Sequence, residues 1–171
     1  MSNKLKIDLK NPSLVGVITK RNMRKYVTPW SFKRLINGGK GEFVEEIVLD
    51  WLVNVKKYTN IVKSKPQSSH DFRFKQSKNV LVDIRRFGFK TNKEGIYLGY
   101  TSITKQREYS WDHKAHYLEH GGYLGARVYK EKIFLYYLPA KFVLCNHSAS
   151  RIHIDKVTDW VSENKKSNVK Q

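Results

Sequence analysis

The sequence predicts an α/β fold in which helices flank a mixed central β-sheet. Apolar residues recur at helical spacing through residues 42–55, and polar residues 105–120 carry a second helical pattern that Gly121-Gly122 ends. Short β-prone runs lie at 58–62, 71–74, 79–85, 96–100, 123–129 and 133–138. The order of helix, strands, helix and strands is that of an α/β domain rather than of a bundle or a sandwich.

The first helix is amphipathic. Val44, Ile47, Val48 and Leu52 lie on one stripe, and acidic residues in the first turn suit the helix dipole.

The side chains of the strand predicted over 79–85 alternate between the two faces of the sheet. One of its faces carries valine and isoleucine, and the other carries Leu81, Asp83 and Arg85.

The chain of 171 residues is long enough for one compact domain. Residues 1–40 contain ten lysines and arginines against a single acid, and Asn37-Gly38-Gly39 then breaks the chain. These features predict a basic N-terminal arm over 1–40, a core domain over 41–160 and a basic flexible tail over 161–171. Within the arm, the run SLVGVI favours a short strand and TPWSFKRLI a helix.

Charge and composition narrow the function classes. Lysine and arginine number 33 against 15 aspartates and glutamates, which leaves +18 and indicates a polyanionic partner, most simply nucleic acid. The apolar runs are too short to cross a membrane, and the first residues lack the apolar segment of a secretory signal. A lone cysteine, Cys145, excludes an intramolecular disulfide framework and a cysteine-rich zinc site. We therefore expect a cytoplasmic protein with no membrane association.

Two aspartates in this basic chain lie on β-prone runs. Asp71 begins the run 71–74, and a turn through residues 75–79 would bring it beside Asp83. Adjacent carboxylates repel each other unless a cation or a proton lies between them. Mg²⁺ is commonly held by one or two carboxylates together with waters and substrate phosphate. The pair therefore predicts a magnesium site, which Mn²⁺ could also fill.

A third carboxylate comes from the first helix. Glu42 and Glu46 point away from the apolar stripe, whereas Glu45 lies at its edge beside Val48. Glu45 is thus placed to reach across the sheet toward the aspartates. Asp50, at the opposite edge of the stripe, is the rival candidate.

This arrangement resembles the PD-(D/E)XK nuclease superfamily over Gly41–Leu138. The helix glutamate matches Glu45 in GEFVEEIVLDWL, the first aspartate matches Asp71 in SSHDFRF, and the (D/E)xK signature matches Asp83-Ile84-Arg85 in NVLVDIRR. The stretch YLEHGGYLGARVYKEKIFLYYLP, in which a helix leads through Gly-Gly into a core strand, looks most like the archaeal and RecU-type Holliday junction resolvases. The resemblance implies a restriction-endonuclease-like core.

The sequence departs from the family pattern at two positions. His70 stands where proline is usual, and Arg85 replaces the signature lysine. Arginine stays protonated and cannot act as a general base, although its planar fork binds phosphate well. Either the water that attacks the phosphodiester is activated without that lysine, or the chain binds nucleic acid without cutting it. Lys90, five residues further along the chain, is a weaker candidate to take the place of the signature lysine.

The resemblance implies metal-assisted hydrolysis of DNA phosphodiester bonds. Asp71, Asp83 and the Ile84 carbonyl would hold Mg²⁺, Glu45 would bind a second ion or orient a water, and Arg85 would stabilise the transition state. The substrate implied is branched or duplex DNA, with a homodimer supplying two active sites for paired cuts.

Two alternatives remain open. One is a restriction or homing endonuclease of the same fold, which would read base edges rather than branched shape. The other is a non-catalytic nucleic-acid-binding module.

Candidate DNA-binding cations lie in the arm, after the strand predicted over 79–85 and around the second helix: Lys33, Arg34, Arg86, Lys90, Lys105, Arg107 and Lys114.

Overall fold

The protein is a mixed α/β fold with few helices in the part of the chain that the structure describes. This computed structural model describes residues 3–23, 41–64, 71–90, 93–97, 121–129, 131–140, 142, 151–155 and 157–158. The helices are α1 (Lys20–Met23) and α2 (Gly41–Asp50), and a π-helical segment, Trp51–Val55, continues α2. The strands are β1 (Ser13–Ile18), β2 (Ile61–Lys63), β3 (Phe72–Lys75), β4 (Asn79–Arg86), β5 (Gly88–Lys90), β6 (Lys93–Tyr97), β7 (Gly121–Tyr129), β8 (Lys132–Pro139) and β9 (Arg151–His153).

Six strands form the main sheet in the order β1-β8-β7-β4-β3-β2. Neighbours are antiparallel except for β4 and β7, which run parallel with Asp83 opposite Tyr123. A parallel pair needs a crossover connection, and residues 87–120 supply the chain length for it. β5, β6 and β9 form a separate three-stranded antiparallel sheet.

Helix α2 covers one face of the main sheet. Val44, Ile47, Val48 and Leu52 are buried in one cluster with the inward side chains of β3 and β4. Those inward side chains are Phe72, Phe74, Val80, Val82 and Ile84. The alternation predicted for the strand over 79–85 is therefore confirmed, and it leaves Asp83 and Arg85 on the face opposite α2.

Most of the predicted elements that fall on described residues are present. The helix predicted over 42–55 is found, with its last turn widened by a bond from the Lys56 N–H to the Trp51 carbonyl oxygen at 2.8 Å. The runs predicted as strands correspond to β1 to β4 and β6 to β8, with ends shifted by up to three residues. The predicted helices in TPWSFKRLI and over 105–120, and the tail over 161–171, lie outside the described residues.

The N-terminal segment differs from the predicted arm. β1 is an edge strand of the main sheet and pairs with β8, and Leu5, Ile18 and Met23 are buried in the cluster beneath α2. Residues 3–23 are therefore integral to the core that was expected to begin at residue 41. Local sequence could not reveal this, because the partner of β1 lies more than a hundred residues away in the chain.

Two side-chain amides bind the first residues to the sheet. Asn60 Oδ1 accepts from the Leu5 N–H at 2.7 Å, and Asn60 Nδ2 donates to the Leu5 carbonyl at 3.0 Å and to the Lys75 carbonyl at 2.8 Å. Gln76 likewise exchanges two hydrogen bonds with the backbone of Ile7, each 3.0 Å long. These amides take the place of a neighbouring strand.

We expect Asn60→Ala to lower the free energy of unfolding by about 2 kcal/mol, because three hydrogen bonds to backbone groups are lost and partners near Leu5 become unpaired. Urea denaturation measures this change. Asn11→Ala is the matched control, since Asn11 bonds only to Asp8 on the surface. Equal stabilities of the two variants would contradict a structural role for the N-terminal segment.

Gly122 is fixed by close packing between strands. A Cβ there would lie 2.4 Å from the Leu138 carbonyl oxygen and 2.7 Å from the Tyr137 hydroxyl oxygen. Gly121-Gly122, which the sequence predicts to end a helix, is the start of β7, and Gly122 pairs with Val82. This close approach fits β7 against β8, while on its other side β7 places Tyr123 opposite Asp83 of β4.

No helix among the described residues is long and apolar enough to cross a membrane.

Candidate functional site

The candidate site lies where β3 ends and β4 continues. Extending the register of Phe72 opposite Val82 by one residue places Asp71 beside Asp83. The Asp71 N–H still bonds to the Val82 carbonyl at 3.0 Å, and Asp71 Oδ2 accepts the Ile84 N–H at 2.6 Å. The Asp71 carboxylate thus accepts the Ile84 N–H at a point where β3 no longer extends alongside β4. This hydrogen bond fixes the position of the carboxyl.

The Asp71 carboxyl contacts two other acids. It hydrogen-bonds with the carboxyl of Asp83 and with that of Glu45, which reaches it from α2. Glu45 is half-buried whereas the neighbouring Glu46 is exposed, as the position of each relative to the apolar stripe predicts. Three successive parts of the chain, the helix α2 and the two arms of the β3–β4 hairpin, therefore bring their carboxyls together. Asp50, the rival candidate, instead accepts a hydrogen bond from Asn54 on its own helix.

Burial dominates the electrostatics of the two aspartates. It raises the pKa of Asp71 to about 6, and the neighbouring Glu45 adds to the rise while the Ile84 N–H opposes it. Burial, together with the neighbouring Asp71 carboxylate, raises the pKa of Asp83 to about 7, against the opposing effect of Arg85. The site therefore carries more negative charge than its own cation can neutralise, and it holds a proton near neutral pH.

Arg85 supplies that cation. Its Nε and one terminal nitrogen both lie 2.8 Å from the same oxygen, Oδ2 of Asp83. The Asp83 side chain is only 15% exposed and that of Arg85 is 36% exposed, so the pair sits at the edge of the solvent. Burial alone would lower the pKa of Arg85, but the Asp83 carboxylate raises it. Arg85 stays charged and cannot act as a base.

The donor set suits a hard divalent cation. It consists of carboxylate oxygens, and the pKa values of Asp71 and Asp83 are raised, mainly by burial and further by a neighbouring acid in each case. Among the described residues, no group of three or more His, Cys, Asp or Glu side chains is arranged to hold one metal ion. Mg²⁺ needs only one or two protein carboxylates beside water and substrate oxygens, and the carboxylates of Asp71 and Asp83 would meet that need.

The remaining candidate residues are less well placed or lie elsewhere. Ile84 is buried, with its N–H on Asp71, and the role of its carbonyl stays a prediction. Arg86 is half-buried at the end of β4, and the backbone of Lys90 ends β5. Five candidate DNA-binding cations lie outside the described residues: Lys33, Arg34, Lys105, Arg107 and Lys114.

Tyr123 is a further residue at this site that no local pattern in the sequence predicts. It lies opposite Asp83 across the parallel pair, close to the Arg85 guanidinium. Only the register of β7 against β4 could have revealed it. The local alternation of β7 gives no such information.

Comparisons of the chain with protein-family models, with curated proteins and with solved structures find no match.

Proposed function

We propose that this protein is a cytoplasmic, Mg²⁺-dependent DNA endonuclease. The observation that carries the proposal is the contact of Asp71 with both Asp83 and Glu45, beside the Arg85 guanidinium. A cluster of half-buried acids next to an arginine in a chain of charge +18 suits a phosphodiester substrate.

The topology adds support. The helix α2 is followed by the antiparallel strands β2, β3 and β4, and β7 then lies parallel to β4. This is the order expected from the PD-(D/E)XK resemblance, with the acids on the predicted elements. The similarity to junction resolvases in the sequence around Gly121-Gly122 favours a structure-selective enzyme that acts on four-way junctions as a homodimer.

The roles follow from the geometry of the chain's own residues. Asp71 and Asp83 would hold the cation, which when bound supplies Lewis-acid activation of the phosphate and of the attacking water. Glu45 would orient that water or help to hold a second ion. Arg85 would stabilise negative charge that develops on the phosphate oxygens, since its fork lies beside Asp83 and remains protonated.

A second candidate function is a DNA-binding module without catalysis. It is favoured by the ion pair that engages Oδ2 of Asp83 with Arg85. In such a module Arg85 would serve permanently as the counter-ion of the acids, and no divalent ion would be needed.

The test is incubation of the purified protein with a labelled synthetic four-way junction, with linear duplex of the same sequence, and with each metal condition in turn: Mg²⁺, Mn²⁺ or EDTA. We expect cuts that need the metal and that favour the junction. Metal-dependent cuts at fixed sequences in the linear duplex would instead indicate a restriction or homing enzyme. Binding to both substrates with no cuts under any condition would reject the nuclease and favour the module.

A further inference from the structure

A row of cations leads away from the candidate site along β3. Phe72 and Phe74 are buried beneath α2, whereas Arg73 and Lys75 are exposed on the opposite face. Because alternate residues of a strand share a face, Arg73 and Lys75 lie together on the face of the sheet opposite α2. Their pairing partners in β4, Leu81 and Asn79, share that face with Asp83 and Arg85.

The charges of these two side chains are not neutralised within the described part of the chain. Arg85 is paired with Asp83, and Lys20 is paired with Glu131 at 3.2 Å. Arg73 and Lys75, by contrast, form no ion pair with any residue that the structure describes. They are therefore available to a polyanion, and binding would release counterions without breaking an internal contact.

The spacing of the row suits a nucleic-acid strand. Alternate residues of an antiparallel strand are about 7 Å apart, so Lys75 lies roughly 14 Å along β3 from Asp71, with Arg73 halfway. Successive phosphates of a duplex strand rise about 3.4 Å each along the helix axis. Arg73 and Lys75 can thus meet phosphates a few nucleotides from the one that faces the acids.

We propose that Arg73 and Lys75 form a phosphate-binding track that positions a DNA strand against the carboxylates of Asp71 and Asp83. The inference rests on the proposed function, because it names the surface that delivers the substrate to the same site. The sugar-phosphate backbone is the ligand, so the track contributes affinity and orientation rather than recognition of base sequence.

The test measures DNA binding in EDTA, so that it is independent of cleavage. The anisotropy of a labelled duplex is followed over a series of salt concentrations for the wild type and for Arg73→Gln/Lys75→Gln. We expect the double variant to bind at least about tenfold more weakly at low salt, with the salt slope reduced by about two. Its thermal stability should match that of the wild type, since both side chains are exposed.

Arg21→Gln/Lys132→Gln is the matched control. It also removes one arginine and one lysine, both exposed, but Lys132 lies on β8 at the far end of the β7–β8 hairpin. We expect its salt slope to stay close to that of the wild type. Equal losses in the two double variants would show a general charge effect and would overturn the track.

The outcomes separate this inference from the proposed function. Loss of DNA binding in Arg73→Gln/Lys75→Gln, with no cleavage by the wild type, would support the track and reject the nuclease. Wild-type binding and cleavage by that variant would reject the track and leave the nuclease standing. An RNA duplex of the same sequence is the second probe: an equal loss supports recognition of the backbone, and a loss confined to RNA overturns the assignment to DNA.

Discussion

Asp83→Asn is expected to abolish metal-dependent cleavage while leaving the protein folded. Asparagine keeps the shape of the side chain but removes the negative charge that would hold the cation. Changing an outer partner of a metal ligand typically costs 10–100-fold, so the loss of a direct ligand should cost about 1,000-fold or more. Initial rates on the preferred DNA substrate with Mg²⁺ measure the effect.

The control for this prediction is Asp155→Asn. Asp155 is exposed and is not among the groups that act on Asp71, Asp83 or Arg85, so its variant should cut at the wild-type rate. If Asp83→Asn cuts DNA as fast as the wild type does, the assignment of Asp83 as a metal ligand is wrong. Thermal melting of both variants excludes unfolding as the cause of any loss.

The metal-free protein is expected to lose stability as the pH rises from about 5 to about 8. The pKa values of Asp71 and Asp83 in the folded protein are about 6 and about 7, above the ordinary value of 3.8. The unfolded chain then binds fewer protons than the folded one in this window, so the free energy of unfolding falls with rising pH. The stability that the two protonated carboxyls contribute is fully present below a pH of 3.8, their ordinary pKa. It is lost as the pH rises through about 6 and about 7, their pKa values in the folded protein. The pair should account for a loss on the order of 3 kcal/mol.

Urea denaturation of the wild type and of Asp83→Asn at the two pH values isolates this effect. Other titrating groups act equally in both proteins, so the difference between them reports on the acidic cluster. We expect Asp83→Asn to be the more stable protein near pH 8 and to lose that advantage near pH 5. A difference that does not change with pH would contradict the account of the buried charges.

A divalent cation should reverse the loss. Its positive charge would neutralise the carboxylates of Asp71 and Asp83. A ligand that binds only the folded state raises the free energy of unfolding. Mg²⁺ should therefore raise the melting temperature of the wild type more at about pH 8 than at about pH 5, where protons compete for the carboxylates. Asp83→Asn should show little change with Mg²⁺ at either pH.

Local sequence patterns sufficed for the elements that carry the acids. Alternation in β3 and β4 placed Asp71 and Asp83 on adjacent strands, and helical spacing separated Glu45 from Glu46. These predictions succeed because buried apolar faces fix the direction of each side chain. The contact of Asp71 with both other carboxyls follows from a hairpin and one helix, all within about forty residues of sequence.

Features that depend on distant pairing could not be read in this way. β1 resembled part of an arm because its partner, β8, lies far along the chain and leaves no local signal. β5 and β9 are three-residue strands, too short for a recognisable pattern. Arg73 and Lys75 were missed because a surface cation is informative only once its neighbours are known to leave it unpaired.

The proposed nuclease depends on a divalent cation held by the carboxylates of Asp71 and Asp83. Calorimetric titration of the metal-free protein with Mn²⁺ near pH 8 detects such a site, with Asp71→Asn as the comparison, because Asp71 contacts both other acids. We expect saturable binding by the wild type, accompanied by proton release that shrinks at higher pH, and none by Asp71→Asn. Absence of binding by the wild type, or identical binding by the two proteins, would contradict the proposed metal site.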